Sequence, residues 1–327
     1  MKTPATIAPF ILVFLLSFAG TAYSADSGNV NLAPNGYVHL DFPQLPDTFY
    51  TMKTGTKVPA QLTAHLPSNY STDRKFPLFV FLNGGDGGDA DMNSTGGTPL
   101  TIGYTDYICV SLPLFKSSTN TSGSAAAQIP KDALPGIPPA LLAMASTMAG
   151  GGVISQPDYT VISSSYAAML GKLYETIPNI DPDRSVMAGF SNGAHTIGVL
   201  LAGRDPFTLQ HFHSFCMIEG GMGMMFSPKA TLTPELKNHR YLFLVGDGAG
   251  DQKGWGAGVR PIILQIEKNF VQQATAYGLD CSLVIMQNTE HSYNPAYRPV
   301  VGQWARGGSA VTAATSAAPG PASPPSP

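Results

Sequence analysis

The sequence is short of charge. Only 12% of its 327 residues are Asp, Glu, Lys or Arg, about half the ~25% of an ordinary soluble domain. The net charge is −3. With no basic excess, electrostatic nucleic-acid binding has no footing, nor does a polybasic membrane patch. A membrane-spanning run is also missing. The apolar stretch Ile7 to Phe18 falls short of the ~20 residues that a spanning helix needs. Cysteine is scarce. Cys109, Cys216 and Cys281 are odd in number, so at least one thiol cannot pair inside the chain. No CxxC or Cys/His ligand spacing occurs, so no metal site is expected.

What is there is a 43% hydrophobic chain with 35 glycines and 28 prolines. The apolar content suffices for a sizeable core. Both ends read as separate from it. Lys2, the apolar run and Ala22-Tyr23-Ser24 before Ala25 form the three parts of a secretory signal. Residues 1–24 are therefore expected to be removed, leaving a secreted or periplasmic protein with no membrane attachment. Residues 307–327 carry no charge, no Phe, Leu or Ile, and five prolines. Such a segment buries too little to offset its ordering entropy, and a disordered tail is expected. Residues 25–306 remain as one large domain.

Within that domain short apolar runs alternate with longer segments, the pattern of an α/β fold with a mostly parallel sheet. Strands are expected at Tyr37–Asp41, Gln61–Leu66, Leu78–Leu82, Tyr107–Leu112, Ser185–Ala188, Ser214–Ile218, Tyr241–Val245 and Ser282–Met286. Ile162, Tyr166, Met169, Leu170, Leu173 and Ile177 lie on one helical stripe. Ile263, Ile266, Phe270 and Tyr277 lie on another, before Gly278. The cysteines fall in or beside strands and read as small buried hydrophobes. Residues 116–157, rich in Ser, Gly and Pro, are expected to form a rim or partial lid.

Gly189-Phe190-Ser191-Asn192-Gly193 carries the sharpest chemical signal. A strand precedes it and a helix follows, the pattern of a nucleophile elbow that projects the Ser191 hydroxyl from a sheet edge. A second Gly-rich segment, Asn83-Gly84-Gly85-Asp86-Gly87-Gly88, follows an apolar strand. It lacks the Gly-Lys-Ser/Thr of a phosphate loop. It suits an oxyanion hole made of the Gly85 or Asp86 N–H together with the Asn192 N–H. A serine nucleophile needs a base. Of seven histidines, His291 follows the last strand and is expected to serve; His195, on the elbow helix, reads as packing. The orienting carboxylate is expected from the loop after Tyr241–Val245, as Asp251 or alternatively Asp247; Glu219 and Glu290 are more remote candidates. Phe190 and Trp255 are candidate substrate contacts.

Four segments carry a resemblance: Ala64-His65-Leu66-Pro67-Ser68-Asn69-Tyr70, the Leu82–Gly88 loop, the Gly189–Gly193 elbow and Glu290-His291. Over about Val58 to Tyr293 the sequence resembles the α/β-hydrolase superfamily. It is most similar to secreted bacterial esterases of the feruloyl esterase, acetyl-xylan esterase and polyhydroxybutyrate depolymerase kind. The resemblance implies an eight-stranded, mostly parallel sheet and an acyl-enzyme mechanism without a cofactor. The substrate would be a small-molecule or polymer ester. Two departures stand out. Asn83 occupies a place where many relatives have His, and the loop after Tyr241–Val245 is unusually long and Gly-rich. A peptidase on the same fold and a non-catalytic binding module are the competing readings.

Overall fold

A computed structural model describes residues 26–45, 51–53, 56–58, 60–84, 98–113, 156–221, 232–248 and 255–310. The expected signal, most of the 116–157 segment, and residues 311–327 lie outside them. One mixed sheet organises the chain. Its strands are β1 (Asp26–Val30), β2 (Tyr37–Phe42), β5 (Ala60–His65), β6 (Leu78–Leu82), β7 (Ile108–Leu112), β8 (Val186–Phe190), β9 (Ser214–Ile218), β10 (Arg240–Gly246) and β11 (Asp280–Met286). Their order is β1-β2-β5-β7-β6-β8-β9-β10-β11. A small hairpin, β3 (Thr51–Lys53) with β4 (Thr56–Val58), stands apart. All eight expected strands are present, and β1 adds a ninth at the edge. β1, β2, β5 and β7 pair antiparallel, and every pair from β7 onward is parallel.

The central strands β6, β7, β8 and β9 are buried along their whole length. That is why they read as unbroken apolar runs. Successive side chains point to opposite faces. Leu78, Val80 and Leu82 join one core, and Phe79 and Phe81 the other. The first core is closed by α2 (Gln156–Thr176), α3 (Asn192–Ala202) and α5 (Trp255–Tyr277). The Ile162-to-Ile177 stripe foreseen for α2 is fully buried there. A short helix α4 (Pro206–His211) links α3 to β9. The second core is closed by α1 (Thr98–Ile102) and α6 (Arg298–Ala305), with Trp304 1% exposed.

None of the three cysteines is in a disulfide; Cys109 and Cys216 are buried and Cys281 is half-buried. They fill space as small hydrophobes, as expected. Contacts continue just past Arg306: Arg240 donates to the Gly308 carbonyl oxygen at 3.0 Å, and Ala310 is 2% exposed within the second core.

The order β7-β6-β8 positions the site. From β6 the chain returns to β7 on one side, whereas β8 lies on the other side of β6 and leads on to β9. The carboxyl ends of β6 and β8 thus flank the switch in strand order, the usual ligand position in such sheets.

One core residue breaks the apolar rule. Glu267, on α5, is fully buried and neither carboxyl oxygen has a hydrogen-bond partner. Burial, and secondarily the nearby Glu219, push its pKa well above the ordinary 4.5. The fold favours its neutral form, whereas the unfolded chain lets it ionise as an ordinary carboxyl. Its folded pKa is the higher one, so stability present below about 4.5 drains away as pH rises towards the folded value. The variant Glu267→Gln, neutral throughout, is expected to melt above wild type at pH 8. The difference closes towards pH 4, as a thermal-shift series would show.

Candidate active site

Ser191 stands one residue beyond β8 with φ 53° and ψ −117°, and α3 begins at the next residue. A positive φ is unfavourable for a side chain other than glycine's, and costs ~1–3 kcal/mol that the surroundings must hold. They do so through two backbone bonds. Ser191 N–H donates to the Ile218 carbonyl oxygen at 2.8 Å, and His195 N–H donates to the Ser191 carbonyl oxygen at 3.0 Å. The flanking glycines permit the approach. A Cβ at Gly193 would lie 2.2 Å from the Leu82 oxygen, and one at Gly189 2.6 Å from the Gly193 carbonyl carbon. The expected elbow is thus present, for the steric reason foreseen.

His291 Nε2 lies 2.9 Å from Ser191 Oγ. Its Nδ1 lies 3.2 Å from Glu219 Oε2. With a carboxylate at Nδ1, that nitrogen carries the proton and donates, leaving Nε2 to accept from the serine hydroxyl. The Glu219 side chain is 0% exposed, whereas that of His291 is 33% exposed. The other Glu219 oxygen accepts from the Gly246 N–H. The base is accordingly oriented by a fully enclosed carboxylate and opens on its other side to solvent.

The expected acids fall differently. Asp251 lies outside the described residues. Asp247 is present, but its carboxylate holds backbone: Oδ2 accepts from Asn288 N–H at 3.0 Å and Oδ1 from Thr289 N–H at 3.2 Å. Among the described residues, the carboxylate against His291 Nδ1 is that of Glu219, a more remote candidate in the sequence. Glu219 follows β9 as Ser191 follows β8, and Phe190 pairs with Ile218. Both are the first residue past paired strands, so the two side chains start as neighbours. Glu219 also has positive φ, 56°. The available signal was a lone acid directly after an apolar strand and before Gly220-Gly221. It pointed nowhere until the order of strands was known.

The remaining expected residues fall as follows. Asn192 opens α3, and the first N–H groups of a helix lack intrahelical acceptors and point at incoming negative charge. Gly85 and Asp86 lie outside the described residues. Their neighbour Gly84 is packed against the elbow, since a Cβ there would meet Phe190 Cδ1 at 2.7 Å and Ser191 Cβ at 3.1 Å. Phe190 is 8% exposed and packs in the second core. Its ring centroid stands 5.3 Å from that of His291, so it backs the base rather than lining open space. Trp255 begins α5, and its side chain lies outside the described set.

His195 packs as expected, with a definite task. Its Nδ1 accepts the Gly221 N–H at 3.2 Å, pinning the turn that follows Glu219. Desolvation, then the neighbouring His291, lower its pKa to about 4. It therefore stays neutral and keeps the lone pair that this bond requires. Among the described residues, no cluster of His, Cys, Asp or Glu is arranged to hold a metal.

A Cβ at Gly246 would stand 2.3 Å from the Thr289 oxygen and 3.0 Å from Glu219 Oε1. The variant Gly246→Ala must therefore push the acid and the histidine loop apart. In wild type, the His291 Nδ1 proton is expected as a downfield resonance in proton NMR. In Gly246→Ala it is expected to broaden or vanish while the melting transition stays cooperative.

No protein-family model and no curated protein matches the chain. Among solved structures it is similar to a thermostable esterase, with 18% identity, a TM-score of 0.45, and coverage of 79% of this chain and 58% of that one. It is similar also to a fungal esterase from Rhizomucor miehei, with 14% identity, a TM-score of 0.43, and coverage of 88% and 86%. An acylaminoacyl peptidase is similar at 12% identity and a TM-score of 0.41, with coverage of 78% and 40%. The chain thus spans 58% of the thermostable esterase and 40% of the peptidase. The strand order, the crossing between β6 and β8 and the sharp turn at Ser191 are those of the α/β-hydrolase fold.

Proposed function

We propose that the protein is a secreted or periplasmic serine esterase acting through an acyl-enzyme. The observation that carries this reading is the chain of contacts from Ser191 Oγ to His291 Nε2 (2.9 Å) and from His291 Nδ1 to the buried Glu219 carboxylate (3.2 Å). The Ser191 oxygen attacks the ester carbonyl carbon as its proton passes to Nε2. Glu219 keeps the imidazole in the productive tautomer and stabilises its charged form. The tetrahedral oxyanion lies against the Asn192 N–H, with a second donor expected from Gly85 or Asp86. Collapse expels the alcohol, which takes the proton from Nε2. Water then repeats the sequence on the acyl-enzyme, and the acid leaves. Each step uses side chains and backbone of this chain. The signal-like residues 1–24 support the location.

The same three groups would serve an amide, and substrate choice separates the readings. With short p-nitrophenyl esters, Ser191→Ala is expected to lose at least ~1,000-fold in kcat, and Glu219→Gln ~100- to 10,000-fold. Turnover retained in Ser191→Ala overturns the mechanism. Turnover of peptide anilides but not esters makes the protein a peptidase. A folded wild type that neither turns over esters or anilides nor labels at Ser191 with a fluorophosphonate is a binding module.

A further inference from the structure

The alternative candidate acid, Asp247, has other work. We infer that Asp247 is a positioning residue that builds the turn carrying His291, so that the end of β10 sets acid and base together. The inference rests on the Ser191–His291–Glu219 reading and extends it to a residue that touches none of the reacting atoms.

The geometry is two-sided. At Gly246 the backbone N–H donates to Glu219 Oε1. At the next residue the chain turns to the histidine loop. Asp247 N–H donates to the Met286 oxygen at 3.0 Å, and Gly248 N–H to the Thr289 oxygen at 3.1 Å. The Asp247 carboxylate grips the same loop from its other side. Its two oxygens take the N–H groups of Asn288 and Thr289 at 3.0 and 3.2 Å. Between the loop's own ends, Thr289 Oγ1 donates to the Gln287 oxygen at 2.9 Å and accepts from Asn294 Nδ2 at 2.8 Å.

The grip is needed because the turn is unfavourable by itself. Asn288 has φ 49°, a left-handed conformation that is costly for most side chains and tolerated by asparagine. Two successive N–H groups aimed at one acceptor group hold it there. Hydrogen bonds to a charged acceptor are roughly twice as strong as neutral ones. His291 follows three residues later. A loosened turn would therefore swing the imidazole away from both Ser191 and Glu219. Misplacement by about 1 Å is enough to cost ~100-fold in rate.

The test compares wild type, Asp247→Ala, Asp247→Asn and Glu219→Gln. Asp247→Ala is expected to lower kcat ~10- to 100-fold on p-nitrophenyl butyrate, with KM within about threefold. Asp247→Asn keeps one acceptor oxygen and is expected to recover most of that loss. Amide hydrogen exchange at Asn288 and Thr289, which needs no activity, is expected to speed up at both residues in Asp247→Ala. In Asp247→Asn it is expected to speed up at only one. Wild-type kcat in Asp247→Ala, or unchanged exchange at both amides, overturns the inference. So does a loss in Asp247→Asn as large as in Glu219→Gln, since that would make the charge itself catalytic. If Asp247→Ala does not fold, the isosteric Asp247→Asn decides by the same two readouts. If wild type turns over no ester, the functional reading fails, and exchange alone still decides the clamp.

Discussion

The site depends on the parallel pairing of β8, β9, β10 and β11. Phe190 pairs with Ile218, Ile218 with Leu244, and Gly246 with Met286. Four strands thereby end along one rim at neighbouring positions, ~4.8 Å apart. Ser191, Glu219, Asp247 and the histidine loop each leave from one of those ends. The first two leave in the same manner. Ser191 N–H bonds the Ile218 oxygen, and Glu219 N–H bonds the Leu244 oxygen. Each residue then turns left-handed, with φ of 53° and 56°. The strain of both turns is borne by the ladder continuing one bond past the last paired residue. The sheet thus supplies position and the turns supply direction.

From this follows why Glu219 can serve at the strand next to the nucleophile. Its backbone begins beside Ser191, while its carboxylate must reach Nδ1 on the far side of the imidazole. Aspartate would be shorter by one carbon, about 1.5 Å. The glutamate arm covers that distance and still leaves its other oxygen for the Gly246 N–H. His195 then fixes Gly221 behind it. A neutral imidazole suits that task, since it can accept an N–H without setting a second positive charge near His291.

The parts of this arrangement that were legible in the sequence are those written in contiguous residues. The elbow needs strand, two glycines and helix in one stretch, and all of them are local. The eight strands were legible because burial on both faces leaves continuous apolar runs. His291 was legible because it follows the last strand. The acid was not. Choosing among Asp247, Asp251, Glu219 and Glu290 requires knowing which strand ends beside the histidine loop, and that is a property of the sheet. Asp247 misled for an intelligible reason. It does stand at the end of β10 and it does serve His291, but through backbone N–H groups at Asn288 and Thr289. Composition places a carboxylate near a turn; only geometry says which donors it meets.

Two buried glutamates make that last point physical. Glu219 stands near enough to Glu267 to help raise its pKa, and both side chains are enclosed. Glu219 faces the Gly246 N–H and the His291 imidazole. Glu267, behind it on α5, faces no donor. A buried carboxyl without donors holds its proton, because the charge has nowhere to be solvated. The apolar surroundings of α5 favour the neutral form of Glu267, whereas Glu219 meets both a backbone donor and the imidazole.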